Sequence, residues 1–212
     1  MKGRLITLEG GEGAGKSTCL QEIVSILEQA GINVVQGREP GGTILGEQIR
    51  GLLLDAENRQ MSAQAELLLM FAARAQYVNE CVDPALERGD WLVSDRFVDA
   101  SYAYQGGGRG IPRERIGWLE HWVLGELQPD LTLLLDLPPE LGLARATSNR
   151  PADRFEVEEH DFYARVRAGY LDRAQRQPAR FRVIDASQPL AKVLRTVRTE
   201  LSAFVKQETP TE

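Results

Sequence analysis

Little cysteine, no long apolar run and no surplus of positive charge mark this chain, and each lack narrows what it can be. Cys19 and Cys81 are its two cysteines, too few for a disulfide framework and without metal-ligand spacing. Both read as reduced thiols, the expectation for a cytoplasmic protein. The longest apolar run, Leu67 to Ala73, is far shorter than the roughly 18 residues of a membrane span. Lys2 and Arg4 lead directly into the short stretch LITLEG, so neither a signal peptide nor a membrane partner is expected. A net charge of −6 argues against nucleic acid as a partner, since such domains carry a broad excess of Lys and Arg. An anionic substrate would have to be attracted locally, which makes individual arginine positions informative.

What is present describes an α/β protein. At 212 residues, 42% hydrophobic and 26% charged, the chain suits one domain spanning 1–212 with at most a small insert. Apolar stretches at Arg4–Glu9, Asn33–Gly37, Trp91–Ser94, Leu131–Leu137 and Phe181–Ala186 read as five strands. Helical spacing runs from Ser17 to a stop at Gly31, then over Leu45–Leu54, Ala63 to about Glu87, Pro112–Leu124, Pro138–Ala146, Glu158–Arg176 and Pro189 to about Val205. This alternation predicts a five-stranded parallel sheet with helices on both faces. Residues 148–155, SNRPADRF, are polar and interrupted by proline, and are the candidate for a mobile flap within the domain.

The stretch Gly10-Gly11-Glu12-Gly13-Ala14-Gly15-Lys16-Ser17-Thr18 satisfies the pattern G-x-x-x-x-G-K-[ST], with an apolar strand before it and a helix after it. Glycines let backbone N–H groups and the helix N-terminus face a β-phosphate, while Lys16 reaches the β and γ oxygens. Ser17 is placed to ligate Mg²⁺. The pattern specifies a nucleoside triphosphate site and not the fate of the γ-phosphate. No Asn-Lys-x-Asp segment for reading guanine occurs, and small proteins of this length with an arginine-bearing flap are more often kinases of small molecules.

Two further clusters fall at strand ends, where open α/β sheets bind ligands. Asp95 and Arg96 follow the third strand; they suit Mg²⁺ or an acceptor oxygen and an acceptor phosphate respectively, or form a salt-bridged strand end. Arg38, in REPGGT after the second strand, is either a second arginine on the same rim or a solvated turn residue.

Taken in order, EGGEGAGKST, REPGGT, LLLMFAARAQ, SDRF, YQGGGRG, PDLTLLLDL and ADRFE resemble the thymidylate kinases, in the bacterial type with an acidic residue in the phosphate loop and an arginine-bearing flap. The resemblance implies a P-loop, nucleoside monophosphate kinase-like fold, a homodimer built through helices, and the reaction ATP + dTMP → ADP + dTDP assisted by Mg²⁺. It implies that Phe71 stacks on thymine while Arg74 hydrogen-bonds its edge, that Arg38 and Arg96 hold the dTMP phosphate, that Ser101 and Gln105 contact the base, and that Tyr104 crowds the sugar 2′ position. IDASQP, from Ile184 to Pro189, resembles a segment near the adenine.

In such a reaction the migrating group needs a positive partner, which is assigned to Arg150 on the flap with Arg154 in support. Asp95 is the first choice to arrange Mg²⁺ or orient the acceptor, with Asp136 and Glu9 as rivals. Glu12 cannot bind phosphate directly, since like charges repel; it is expected to orient a flap arginine or contact a sugar. The competing readings are a kinase for another nucleoside monophosphate, such as dUMP or dCMP, and a nucleotide-dependent switch with no acceptor.

Overall fold

A computed structural model describes residues 3–146, 154–155, 158 and 160–208. Five strands, β1 (Leu5–Gly10), β2 (Val34–Arg38), β3 (Trp91–Asp95), β4 (Leu131–Asp136) and β5 (Phe181–Asp185), form one sheet in the order β2-β3-β1-β4-β5. Every pairing is parallel, with Leu5 opposite Leu92 and Ile6 opposite Leu131. The expected sheet is therefore observed, each strand within a residue or so of its predicted bounds.

Alternation along the strands divides the core. Ile6, Leu8, Leu133 and Leu135 face one side, against helices α1 (Lys16–Gln29) and α9 (Leu190–Glu208). Leu5 and Leu92 face the other, against α3 (Ala63–Tyr77), α4 (Asp83–Arg88) and α6 (Arg113–Leu124). Leu134 and Phe181 pack beneath α8 (His160–Arg176). Among the described residues the remaining α-helices are α2 (Ile44–Leu54), α5 (Val98–Ser101) and α7 (Pro139–Ala146). Gly31, at φ 75°, ends α1 where the sequence placed its stop, and the Gly31 and Ile32 amides close back on Glu28 and Leu27. Thr43 and Ser62 cap α2 and α3 by accepting from Gly46 N and Ala65 N.

Two departures from the sequence reading matter for function. The helix expected from Ala63 to Glu87 is α3 and α4 joined by a π-helical turn, Val78–Val82. The stretch YQGGG, to which the sequence reading assigns neither helix nor strand, continues α5 as a π-helical segment, Tyr102–Gly108. Its glycines serve packing: a Cβ on Gly107 would come within 2.5 Å of the Arg165 carbonyl oxygen, and one on Gly108 within 2.5 Å of the Phe162 ring. They allow α8 to lie directly against the segment.

Candidate active site

The strand order reverses direction at β1, so the carboxyl ends of β1, β3 and β4 open onto one crevice. The phosphate loop leaves β1 there. Gly10, Gly13 and Gly15 adopt positive φ, and Gly15 caps α1 in a left-handed conformation with open space around it. Gly13 has another constraint, since a Cβ would lie 2.1 Å from the Gly142 carbonyl oxygen of α7. Lys16 folds back over the loop and donates from Nζ to the Gly10 and Gly11 carbonyls at 3.1 and 2.9 Å. Burial, and then the Arg96 charge, lower its pKa, with Glu12 and Asp95 opposing. Ser17 is exposed in the first turn of α1.

Beside the loop lies a cavity of about 110 Å³ lined by Glu12, Glu39, Arg50, Met70, Arg74, Arg96, Ser101, Tyr104 and Gln105, among others. Arg96 follows β3 with φ 67°, a left-handed conformation unusual for a residue with a side chain. Its Nη2 donates to Glu12 Oε1 at 2.5 Å and to the Tyr104 hydroxyl at 3.4 Å, while Tyr104 donates to Glu12 at 3.0 Å. Burial works against the Arg96 charge, but Glu12, Tyr104 and Asp95 together hold its pKa well above the usual value. Arg50, anchored by Nη1 to the Pro40 carbonyl at 2.8 Å, faces the same space. Burial and then the like charges of Arg38 and Arg96 lower its pKa. Two guanidinium groups that repel one another across a cavity favour an anion between them.

Arg74 is buried at the far wall. It donates from Nε to Glu39 at 2.8 Å, from Nη1 to Ser101 Oγ at 3.0 Å and from Nη2 to the Phe97 carbonyl at 3.1 Å, with a second contact from Nη2 to Glu39. Of the five N–H donors of an arginine, one on Nη1 is left for a ligand among the described contacts. Glu39 Oε1 is buried with no described partner, and burial, opposed by Arg74, raises that carboxyl's pKa. Gln105 Nε2 donates to Glu66 at 2.9 Å.

A phosphate-loop pattern and an arginine-lined cavity thus lie at adjoining strand ends, an arrangement that suits phosphoryl transfer to an anionic acceptor. The thymidylate kinase family model matches residues 8–197. The chain belongs to the thymidylate kinase family. It is 54% identical over 207 residues to the thymidylate kinase of Methylobacillus flagellatus, covering 98% of each chain. It is also 54% identical over 206 residues to that of Pseudomonas savastanoi pv. phaseolicola, covering 97% of this chain and 98% of the relative. The crystal structure of thymidylate kinase from Ehrlichia chaffeensis superimposes with a TM-score of 0.77 at 31% identity, over 97% of this chain and 100% of that one. The chain is thus a phosphotransferase acting on dTMP, and the switch reading is set aside.

Against that family's expectations several residues move. Phe71 is 2% exposed and packs with Leu67 and Val78 in the core, away from the cavity lining; Met70, one position earlier on α3, lines it instead. The Phe71 ring lies 4.6 Å from the Arg74 guanidinium carbon and supports that side chain. Arg38 is 55% exposed and bonds Glu47 at 2.9 Å, outside the cavity lining. The cavity arginine that sequence reasoning missed is Arg50, whose signal was its place on α2 beside the buried positions Gly46, Ile49 and Leu53. Glu39 was missed as well.

Arg150 lies outside the described residues. Arg154 does not support it at a phosphoryl group: it is buried, donates to the Leu53 carbonyl at 2.9 Å and pairs with Glu66. Of the three acids weighed for Mg²⁺, Glu9 has both oxygens occupied, by Phe97 N at 2.7 Å and the Tyr170 hydroxyl at 2.9 Å. Asp136 is held by Arg167 at 2.7 and 2.8 Å. Asp95 keeps a buried Oδ1 without a described partner, and with the exposed Ser17 hydroxyl it offers the hard oxygen donors Mg²⁺ takes beside substrate phosphates. Both residues fit the ion.

Proposed function

We propose that the chain transfers the γ-phosphoryl group of ATP to dTMP in line, with the donor on the phosphate loop and the acceptor in the adjoining cavity. The observation that carries this reading is the pair Arg50 and Arg96 facing one cavity beside Lys16. The loop amides from Gly10 to Thr18 and Lys16 hold the donor phosphates. Lys16 gives up two carbonyl contacts when it turns to them. Arg96 and Arg50 hold the dTMP phosphate. Arg74 offers its spare N–H to the base edge, Ser101 and Gln105 line the same wall, and Tyr104 stands where the sugar passes. Met70 provides the apolar surface under the ring, with Phe71 behind Arg74.

Ser17 and Asp95 would hold Mg²⁺, which supplies charge neutralisation at the transferring phosphate. Glu12 keeps Arg96 extended between the two phosphates, a more specific role than orienting a flap arginine. Arg150, from its place in the sequence, meets the equatorial oxygens of the migrating group.

Trp118 and Trp122 are 74% and 82% exposed on α6, and Trp122 lines a surface groove with exposed Leu68 of α3, an apolar face that supports a homodimer through these helices. No helix among the described residues is long and apolar enough to cross a membrane, and Cys19 and Cys81 are free thiols; both facts accord with a cytoplasmic enzyme. A coupled ADP-release assay with a panel of monophosphates tests the reading. ADP release should depend on dTMP and exceed that with dUMP or dCMP; turnover indifferent to dTMP would overturn it.

A further inference from the structure

Arg96 is useful only while its backbone stays in a conformation that a side-chain-bearing residue resists. At φ 67° such a residue is strained and persists only where its surroundings over-determine it. Three hydrogen bonds bracket it: Arg96 N donates to the Leu8 carbonyl at 3.0 Å, Ser94 Oγ donates to the Arg96 carbonyl at 2.8 Å, and Phe97 N donates to Glu9 Oε1 at 2.7 Å. The first two are local to β1 and β3. The third comes from a carboxyl group placed in the core, where an acid is costly unless it has specific partners.

The other oxygen of Glu9 accepts from the Tyr170 hydroxyl of α8 at 2.9 Å, so the carboxyl cannot turn away from Phe97 N without leaving Tyr170 unpaired. Tyr170 also sets its ring edge against Tyr104 at 6.3 Å between centroids. Tyr104 in turn contacts the Arg96 guanidinium and Glu12. The backbone of Arg96 and its side chain are thus braced from one helix.

We propose that Glu9 and Tyr170 are positioning residues for the acceptor: Glu9 fixes the left-handed turn at Arg96 through Phe97 N, and Tyr170 locks Glu9 in that orientation. Neither lines the acceptor cavity, so their effect on dTMP passes through Arg96. The inference rests on the reading of that cavity as the dTMP site.

The test is equilibrium binding of dTMP to Glu9→Leu, Glu9→Gln and Tyr170→Phe, each made in the native chain and in Arg96→Ala. Loss of one hydrogen bond to a charged or buried group corresponds to about tenfold in affinity, and that weakening is expected for Glu9→Leu, with several-fold weakening for Tyr170→Phe. Glu9→Gln keeps an acceptor oxygen for Phe97 N and should bind dTMP within about threefold of the native chain, a rescue that a role for the charge itself would not give. In Arg96→Ala each substitution should cost nothing further, because residues acting through one partner are non-additive. The proposal is overturned if Glu9→Leu and Tyr170→Phe bind dTMP as the native chain does, if their losses are as large in Arg96→Ala, or if Glu9→Gln is as weak as Glu9→Leu. Should Glu9→Leu not fold, Tyr170→Phe in the two backgrounds decides the matter. A native chain that binds no dTMP would instead sink the cavity assignment.

Discussion

Arg50 and Arg38 show how far single residues can be read. Arg38 ends β2 and Arg50 lies on the following helix α2, and a sequence cannot tell which way each points. Arg38 leaves the strand toward solvent and Glu47, whereas Arg50 sits one helical step from a buried stripe and faces inward. Arg50→Ala should therefore raise the KM for dTMP by about tenfold or more, the cost of leaving a charged partner unpaired. Arg38→Ala should stay within about twofold; steady-state kinetics on the two variants compare them directly. Burial, and then the Asp99 charge, push the Glu9 carboxyl up to about 8 from an ordinary value of 4.5. An acid raised on folding contributes stability in full below its unfolded value and loses it as pH rises through its folded value. Glu9→Gln, which cannot ionise, should gain in melting temperature relative to the native chain as pH rises from about 4.5 to 8. Parallel melting curves across that range would show no such trend if Glu9 titrates normally.

Elements were legible where apolar periodicity decides them and illegible where packing does. The five strands announce themselves as short stretches that open on an apolar residue, and the phosphate loop by its glycines between strand and helix. The π-helical segment Tyr102–Gly108 was hidden because three successive glycines read locally as a loop, and only the approach of α8 explains them. Similarly, Met70 and Phe71 are both apolar neighbours on α3, and only the position of the helix assigns one to the cavity and the other to the core. Helix α7 has a role that its composition does not advertise. A Cβ on Gly142 would lie 2.4 Å from the Glu12 carbonyl oxygen, so α7 is the backing of the phosphate loop. Gly142→Ala should displace that loop, raising the KM for ATP several-fold and costing about 1–3 kcal/mol of stability. Kinetics with ATP varied and dTMP saturating, together with denaturant unfolding, measure the two effects.

The molecule as a whole is an acidic chain, of net charge −6, that nevertheless sets Arg50, Arg74 and Arg96 around one crevice. Pairing explains how it does so without collapse of the site: Arg96 with Glu12, Arg74 with Glu39 and Arg154 with Glu66 each carry a carboxylate partner. The proposed homodimer is tested at this scale. Trp122→Glu places a charge in the apolar face of α3 and α6 and should yield a monomer of unchanged fold, read by light scattering after gel filtration. A monomeric native chain would remove the basis for that expectation.

That same face gives the protein a built-in optical record. Its three tryptophans divide by environment: Trp91 is enclosed in β3 with its ring edge against Phe204 of α9, while Trp118 and Trp122 stand in solvent on α6. Emission from the first follows the integrity of the sheet and its covering helix, and under the proposed dimer emission from the other two would follow whether a second copy is in place. Dilution and denaturation should therefore write two separable signals in one fluorescence spectrum, with no label added.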